Sequence, residues 1–476
     1  MPDPTRKPAA RAVRARVSAA EIARSFAEAG SPWFWFDGAG AAPGEPRVST
    51  LGIASEVRLA VPGDERAYLD AMRRATGNRA HADDRMPGPH RGFDGGWVVA
   101  LTYEFGVALL EPIVASDAEP GLPAAPADPA GPAAVALRCD VVVAVDHDSG
   151  AVELRGPSTA AVDAWLAEHG EHLRVRERGA EMRARASDPE SAPAQWRSGD
   201  GAYAAAVERC RDAIREGDAY VLCLTDTAEA AGVFDAIEVY RRLGASRAPV
   251  RGGIIDAGSH VLVSASPERF LSVRGATVST HPIKGTRRRG GSPSSDRALA
   301  AALAADPKER AENLMIVDLM RNDLSRVCEP GSVRVDRFLD VETHAHVHQL
   351  VSTVSGTLAG GQGIWDAIVA AFPGGSMTGA PKLRAVQLLQ RLEGGPRGFY
   401  SGCFGWIDRR GDAELAMTIR SVEMRRGDRP AATVGAGGGI TIDSVAADEV
   451  AEKHLKAAAL LDALVPLVPL VADPAP

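Results

Sequence analysis

Three segments carry apolar residues at helical spacing. "YAAAVERCRDAIREGD" (203–218) keeps one apolar stripe until Gly217, which predicts a helix stopping there. "PKERAENLMIVDLMRNDL" (307–324) and "ADEVAEKHLKAAALLDALV" (447–465) predict two long helices. Other stretches are short and apolar and read as strands. These are "AYVLCLTDT" (219–227), "GGIIDAG" (252–258) and "HVLVSAS" (260–266), and "DVVVAVDHDSGAVELRG" (140–156) reads as two strands around a Ser-Gly turn. No repeat of fixed period runs through the chain.

Between these elements lie two stretches of different composition. "ASDAEPGLPAAPADPAGPAA" (115–134) is too rich in proline for long regular structure. "RARASDPESAPAQWRSGDG" (183–201) is polar, carries Pro189 and Pro193, and reads as a linker. The boundaries that follow are a disordered tail over 1–20, an N-terminal region over 21–185, a larger region over 186–466 and a second tail over 467–476. The basic opening "MPDPTRKPAARAVRARVSAA" is also how a transit peptide reads, although Ala and Arg are abundant throughout.

Composition narrows the function classes. The chain has 476 residues, 45% of them hydrophobic, ample for a sizeable core. Its formal net charge of −8 gives it no electrostatic reason to seek nucleic acid, so its expected partners are proteins and small molecules. No apolar run reaches the roughly 18 residues of a bilayer span. The five cysteines are scattered without a CxxC pair, which fits a reducing, cytoplasmic setting.

Several clusters could carry chemistry, and each has a plainer reading beside it. Glu309 and Glu312 stand three apart on one predicted helix, and Glu449 and Glu452 repeat the spacing on another. Such pairs offer hard oxygens suited to Mg²⁺, or simply make solvated helix faces. "HAHVHQ" puts His344, His346 and His348 on one face of a possible strand, either for a transition metal or half-exposed. "EHGEH" (168–172) reads as a solvated helix end, and Cys403 in "GCFG" as a core residue. "GAGGGI" (435–440) is a glycine run with a weak phosphate-loop signal, and it permits close approach to backbone N–H groups. In "HPIKGTRRRG" (281–290), Lys284 is either one more surface charge or an amine whose proton the following arginines help to remove.

Taken in order, seven segments resemble the chorismate-utilising enzymes. They are "SASPERF", "PIKGT", "KERAENLMIVDLMRNDLSRV", "FPGGSMTGAPKLRAV", "GFYSGCFG", "AMTIRSVE" and "GGGITIDS" with its following "DEVAEKHLKA". The match is dense over about 200–465 and looser at "WFWFDGAG" and "GGWVVALTYEFG". The family includes anthranilate synthase component I, isochorismate and salicylate synthases, and aminodeoxychorismate synthase component I. Lys284 narrows the resemblance to the last of these, since anthranilate synthases have "PIAGT" there. Val221 stands where the isochorismate and salicylate enzymes place a water-activating lysine, and it cannot accept a proton.

The resemblance implies an α/β (α+β type) layered fold, with two large, mostly antiparallel sheets packed face to face and helices outside. The N-terminal region would add strands to that body. The implied reaction converts chorismate and ammonia to 4-amino-4-deoxychorismate, a precursor of para-aminobenzoate and folate. Lys284 would be the nucleophile and Glu268 the general acid, with Gly285 and Thr286 contacting chorismate. Tyr400 and Arg420 would grip the enolpyruvyl carboxylate, and Gly437, Gly438, Gly439 and Lys456 would cradle the ring carboxylate. Glu312 and Glu452 would hold Mg²⁺, with Glu309 and Glu449 ligating directly or through water. A glutamine amidotransferase subunit would supply the ammonia. The alternatives are anthranilate synthase component I, and a non-catalytic scaffold for an amidotransferase. Two positions depart from the family pattern: Gln349 replaces a usual histidine, and Gly38 replaces a serine where an effector tryptophan binds.

Overall fold

The computed structural model describes residues 9–13, 17–42, 44–77, 92–117, 131–174, 193–245, 248–344 and 347–466. Two antiparallel sheets form its centre. The 12-stranded sheet runs Ala9–Val13, Val152–Gly156, Val142–Asp146, Val48–Ile53, Trp33–Asp37, Arg251–Asp256, His260–Ser266, Ser421–Arg425, Ala431–Ile440, Val221–Ala231 and Gly379–Ala380, with Ala194–Trp196 also paired to Val221–Ala231. The 10-stranded sheet runs Ile283–Arg288, Val347–Thr357, Thr277–Thr280, Arg269–Arg274, Ala413–Met417, Cys403–Asp408, Gly96–Leu101, Ala134–Cys139 and Glu56–Ala60, with Arg334–Thr343 paired to Val347–Thr357. Each sheet joins one block of N-terminal strands to one block of later strands, through Trp33–Asp37 beside Arg251–Asp256 in the first and Gly96–Leu101 beside Cys403–Asp408 in the second, so the N-terminal region is built into the same body.

Burial explains the continuous apolar runs. Phe34, Val98, Leu137, Ile255, Leu262 and Phe404 meet between the sheets. Trp33 and Trp35, on the opposite face of the strand carrying Phe34, pack beneath helices Ala19–Ala29 and Ala236–Leu243. On the far side, Val99, Leu271 and Leu415 pack against Ile316, Met320 and Ile368 of helices Pro307–Ser325 and Ile364–Ala371. A strand covered on both faces has no polar face to alternate with, hence "GWVVAL" is buried at every position. The layers are helix, sheet, sheet, helix.

The predicted helices appear as Asp200–Arg215, Pro307–Ser325 and Ala446–Asp462. Among the described residues no helix is long and apolar enough to cross a membrane. Two expectations need correction. Part of the 1–20 tail is an edge strand, Ala9–Val13, held by backbone pairing to Val152–Gly156 and by an Arg11–Asp163 ion pair. Backbone pairing needs no apolar pattern, so the sequence carried no mark of it. The glycine run 435–440 is the end of the strand Ala431–Ile440 rather than a loop. Of the stretches 115–134 and 183–201, residues 118–130 and 183–192 lie outside the described residues; helix Tyr103–Asp117 extends just into the first, and the end of the second forms the strand Ala194–Trp196 and the start of helix Asp200–Arg215.

Candidate active site

Lys284 lies on the edge strand Ile283–Arg288, opposite Leu350 of the neighbouring strand. The register shifts between Lys284 and Thr286, where Gly285 takes φ +78°, a conformation that glycine adopts without strain. A Cβ at Gly285 would lie 3.0 Å from the Glu309 carboxylate, so this bulge brings the lysine strand against the first glutamate helix. Asn313 fastens the same helix from within, accepting from Ser352 at 2.6 Å and donating to the Leu350 carbonyl at 3.4 Å. Thr286 is exposed.

Glu268 follows the strand His260–Ser266 and is 7% exposed. Burial pushes its carboxyl up to about 7, against the opposing pull of Lys284 and of a hydrogen bond from Ser376. Such a carboxyl holds a proton near neutral pH and can also release it, as a general acid must.

Two of the arginines beside Lys284 have carboxylate partners of their own. Arg287 is bound to Asp306 at 2.8 Å and to Glu309 at 3.4 Å, and Arg289 to Asp296 at 2.7 Å, while Arg288 is exposed. The charges coupled to Lys284 are the carboxylates Glu268, Glu312 and Glu452. Two of the three arginines that follow Lys284 are thus held by carboxylates of other segments.

Helices Pro307–Ser325 and Ala446–Asp462 carry the two glutamate pairs into this field. Burial raises Glu312, and repulsion from Glu309 and Glu452 adds to it. Burial likewise raises Glu449, helped by Glu452, although Ser444 donates to it at 2.7 Å. Burial also works on Glu452, but Lys456, 2.6 Å away, outweighs it and leaves that carboxyl low. Among the described residues no group of three or more His, Cys, Asp or Glu side chains is drawn together to hold a metal. The donor set nevertheless fits Mg²⁺ in its chemistry: hard oxygens, partly buried and mutually repelling, which a divalent cation would keep ionised.

Opposite these helices lies the glycine strand. Gly437 pairs with Thr225, and a Cβ there would meet the Leu224 carbonyl at 2.1 Å. At Gly438 a Cβ would lie 2.9 Å from Glu449, and Gly439 pairs with Cys223. Lys456 crosses this strand, donating to the Gly437 carbonyl at 2.8 Å. Tyr400 is buried against Gly435, where any side chain would collide with its ring. Arg420 is exposed, holds φ +53°, and donates to the Lys456 carbonyl at 2.7 Å. A non-glycine residue kept there costs roughly 1–3 kcal/mol, the kind of strain that accumulates where a side chain must be aimed.

The remaining candidates disperse. His344 follows the strand Arg334–Thr343, His348 lies on the returning strand, and His346 is outside the described residues, so they do not share one strand. His348 is buried between Thr343 at 2.9 Å and Asp296 at 2.9 Å. Gln349 pairs in register with Thr286. In "EHGEH", His172 meets Ser25 at 2.8 Å and His169 packs on Trp165. Cys403 is fully buried in the core. At Gly38 a Cβ would meet the Val48 carbonyl at 2.2 Å, so a serine does not fit.

Two residues beside the site escaped the sequence reading. Ser376, the hydrogen-bond partner of Glu268, was visible only as the serine of "GGSMTGAPK". Cys223 is buried within the field of Lys284 and Lys456, and nothing in "VLCLT" marked its direction.

A family profile described as chorismate binding enzyme matches residues 32–462. An aminodeoxychorismate synthase of Streptomyces pristinaespiralis is 44% identical over 336 residues, 68% of this chain and 46% of that protein. Anthranilate synthase component 1 of Haloferax volcanii is 40% identical over 338 residues, 70% of this chain and 61% of that one. The chain therefore spans about half to three-fifths of the length of these relatives. Anthranilate synthase component I of Streptococcus pneumoniae superimposes with a TM-score of 0.74 at 27% identity, covering 88% of this chain and 93% of that one.

Proposed function

We propose that this chain, which belongs to the chorismate-binding enzymes, aminates chorismate at C4 to give 4-amino-4-deoxychorismate. The observation that carries the reading is the coupling of Lys284 to a buried carboxyl, Glu268, that is half protonated near pH 7. Lys284 bonds to C2 as the C4–oxygen bond breaks, and Glu268 gives its proton to the departing hydroxyl, which leaves as water. Ammonia then bonds to C4 while the C2–nitrogen bond breaks and returns the amine to Lys284. Tyr400 and Arg420 hold the enolpyruvyl carboxylate, and the Gly437–Gly439 backbone with Lys456 holds the ring carboxylate. Mg²⁺, held by Glu312 and Glu452 with help from Glu309 and Glu449, would neutralise the ring carboxylate and offset the negative field around Lys284. Val221, at the start of the strand Val221–Ala231, offers no base to activate water, so amine attack is the reading the residues favour.

A glutamine amidotransferase partner would supply neutral ammonia, which is scarce in solution at neutral pH. Anthranilate formation is the second reading, favoured by the 40% identity to the Haloferax volcanii component. Incubation with chorismate, ammonium and Mg²⁺ separates the two. Aminodeoxychorismate formation is the expected result, and fluorescent anthranilate as the main product would overturn it.

A further inference from the structure

Behind the site lies a buried guanidinium that touches none of the proposed reacting groups. Arg397 is 3% exposed, and all five of its N–H donors are used. Nε and Nη2 grip the Glu393 carboxylate as a fork, at 2.8 and 2.6 Å. Nη1 donates to the Met377 carbonyl at 2.7 Å and to Ser401 Oγ at 3.2 Å, and Nη2 also donates to the Cys223 carbonyl at 2.9 Å. The plane lies over Tyr103 at 4.1 Å, and the backbone N–H groups of Arg397 and Gly398 donate to Glu104 at 2.8 and 3.1 Å. Glu393 in turn accepts from Thr225 N and Oγ1 at 2.9 and 3.0 Å.

We infer that Arg397 is a positioning residue, its one guanidinium setting three backbone segments that each carry part of the proposed site. Met377 adjoins Ser376, the hydrogen-bond partner of Glu268. Ser401 adjoins Tyr400 and holds the strained φ of +64°. Cys223 lies opposite Gly439, so its carbonyl locates the strand on which the glycine run rests. Stability alone does not call for this arrangement, because an apolar pair of similar volume is often as stable as a buried ion pair. What an apolar pair or a lysine lacks is the planar fork, which holds one carboxylate, two carbonyls and a hydroxyl in fixed directions. Two lysines in comparable settings reach less: partly buried Lys382 binds Asp323 and one carbonyl, and buried Lys453 binds aspartates beside two aromatic rings.

The inference rests on the chorismate reading only for its second readout. The first is the Glu268 carboxyl titration, followed by infrared difference between each protein and its Glu268→Gln counterpart. In Arg397→Lys the midpoint moves upward by about one pH unit as the Ser376 bond loosens. The second is chorismate binding in the presence of Mg²⁺, which weakens about tenfold. Phe26→Leu, on helix Ala19–Ala29 where the ring packs against Trp165 and His172, supplies a control that lowers thermal stability and leaves both readouts in place. If Arg397→Lys does not fold, the near-isosteric Glu393→Gln is measured in its stead and moves both in the same direction. A wild-type midpoint and wild-type affinity in the variant that folds, with only its melting lowered, would overturn the inference. If the wild-type protein fails to bind chorismate, the proposed function fails, and the titration still decides the role of Arg397.

Discussion

Glu268→Gln tests the burial of the proposed general acid through stability rather than turnover. The carboxyl moves from an ordinary 4.5 to about 7 on folding because burial outweighs Lys284 and Ser376. Between those values the folded protein keeps a proton that the unfolded chain has released, so stability falls as pH rises through this window. Integrated from pH 5 to pH 8, the loss is roughly 2 to 3 kcal/mol for this one group. Glutamine has nearly the same shape, still pairs with Ser376, and carries no charge at any pH. The variant should therefore gain about 2 to 3 kcal/mol on the wild type between pH 5 and pH 8, while its amination rate drops roughly 10²- to 10⁴-fold. Urea denaturation of both proteins at the two pH values measures the difference directly, every other titrating group being common to both. Stability curves that stay parallel within about 0.5 kcal/mol would refute the buried-acid argument.

Lys284→Ala should melt as the wild type does and lose amination by at least roughly a thousandfold in steady-state assays without a rescue amine. A chorismate analogue blocked in the second step should leave its mass on the Lys284 peptide. EDTA should abolish turnover, Ca²⁺ should restore it poorly, and Glu312→Ala and Glu452→Ala should each weaken Mg²⁺-dependent chorismate binding at least about tenfold by calorimetry. Normal turnover after chelation would return both glutamate pairs to the status of helix faces. With glutamine alone this chain should be inactive, with ammonium it should work best in alkaline solution, and glutamine should become usable when an amidotransferase is added. Efficient use of glutamine by the chain alone would refute the separate-subunit reading.

What the sequence disclosed is what depends on residue type. An amphipathic helix must space its apolar residues by the turn, and a doubly covered strand must be apolar throughout. The two helices that carry the glutamate pairs and most central strands were legible for that reason. What stayed hidden depends on who meets whom. The three arginines after Lys284 looked like a positive field until Asp306 and Asp296 were found holding two of them. Glycines carry no pattern, so the run at 435–440 gave no sign of being a strand, although contact with the Leu224 carbonyl demands it at Gly437. Arg397 is the extreme case. Two of its contacts are carbonyl oxygens, which every residue possesses, so no letter at Cys223 or Met377 announces them. A side chain that acts by holding backbone is therefore invisible in its partners' sequence, and only the fold, by bringing three distant segments to one guanidinium, reveals it.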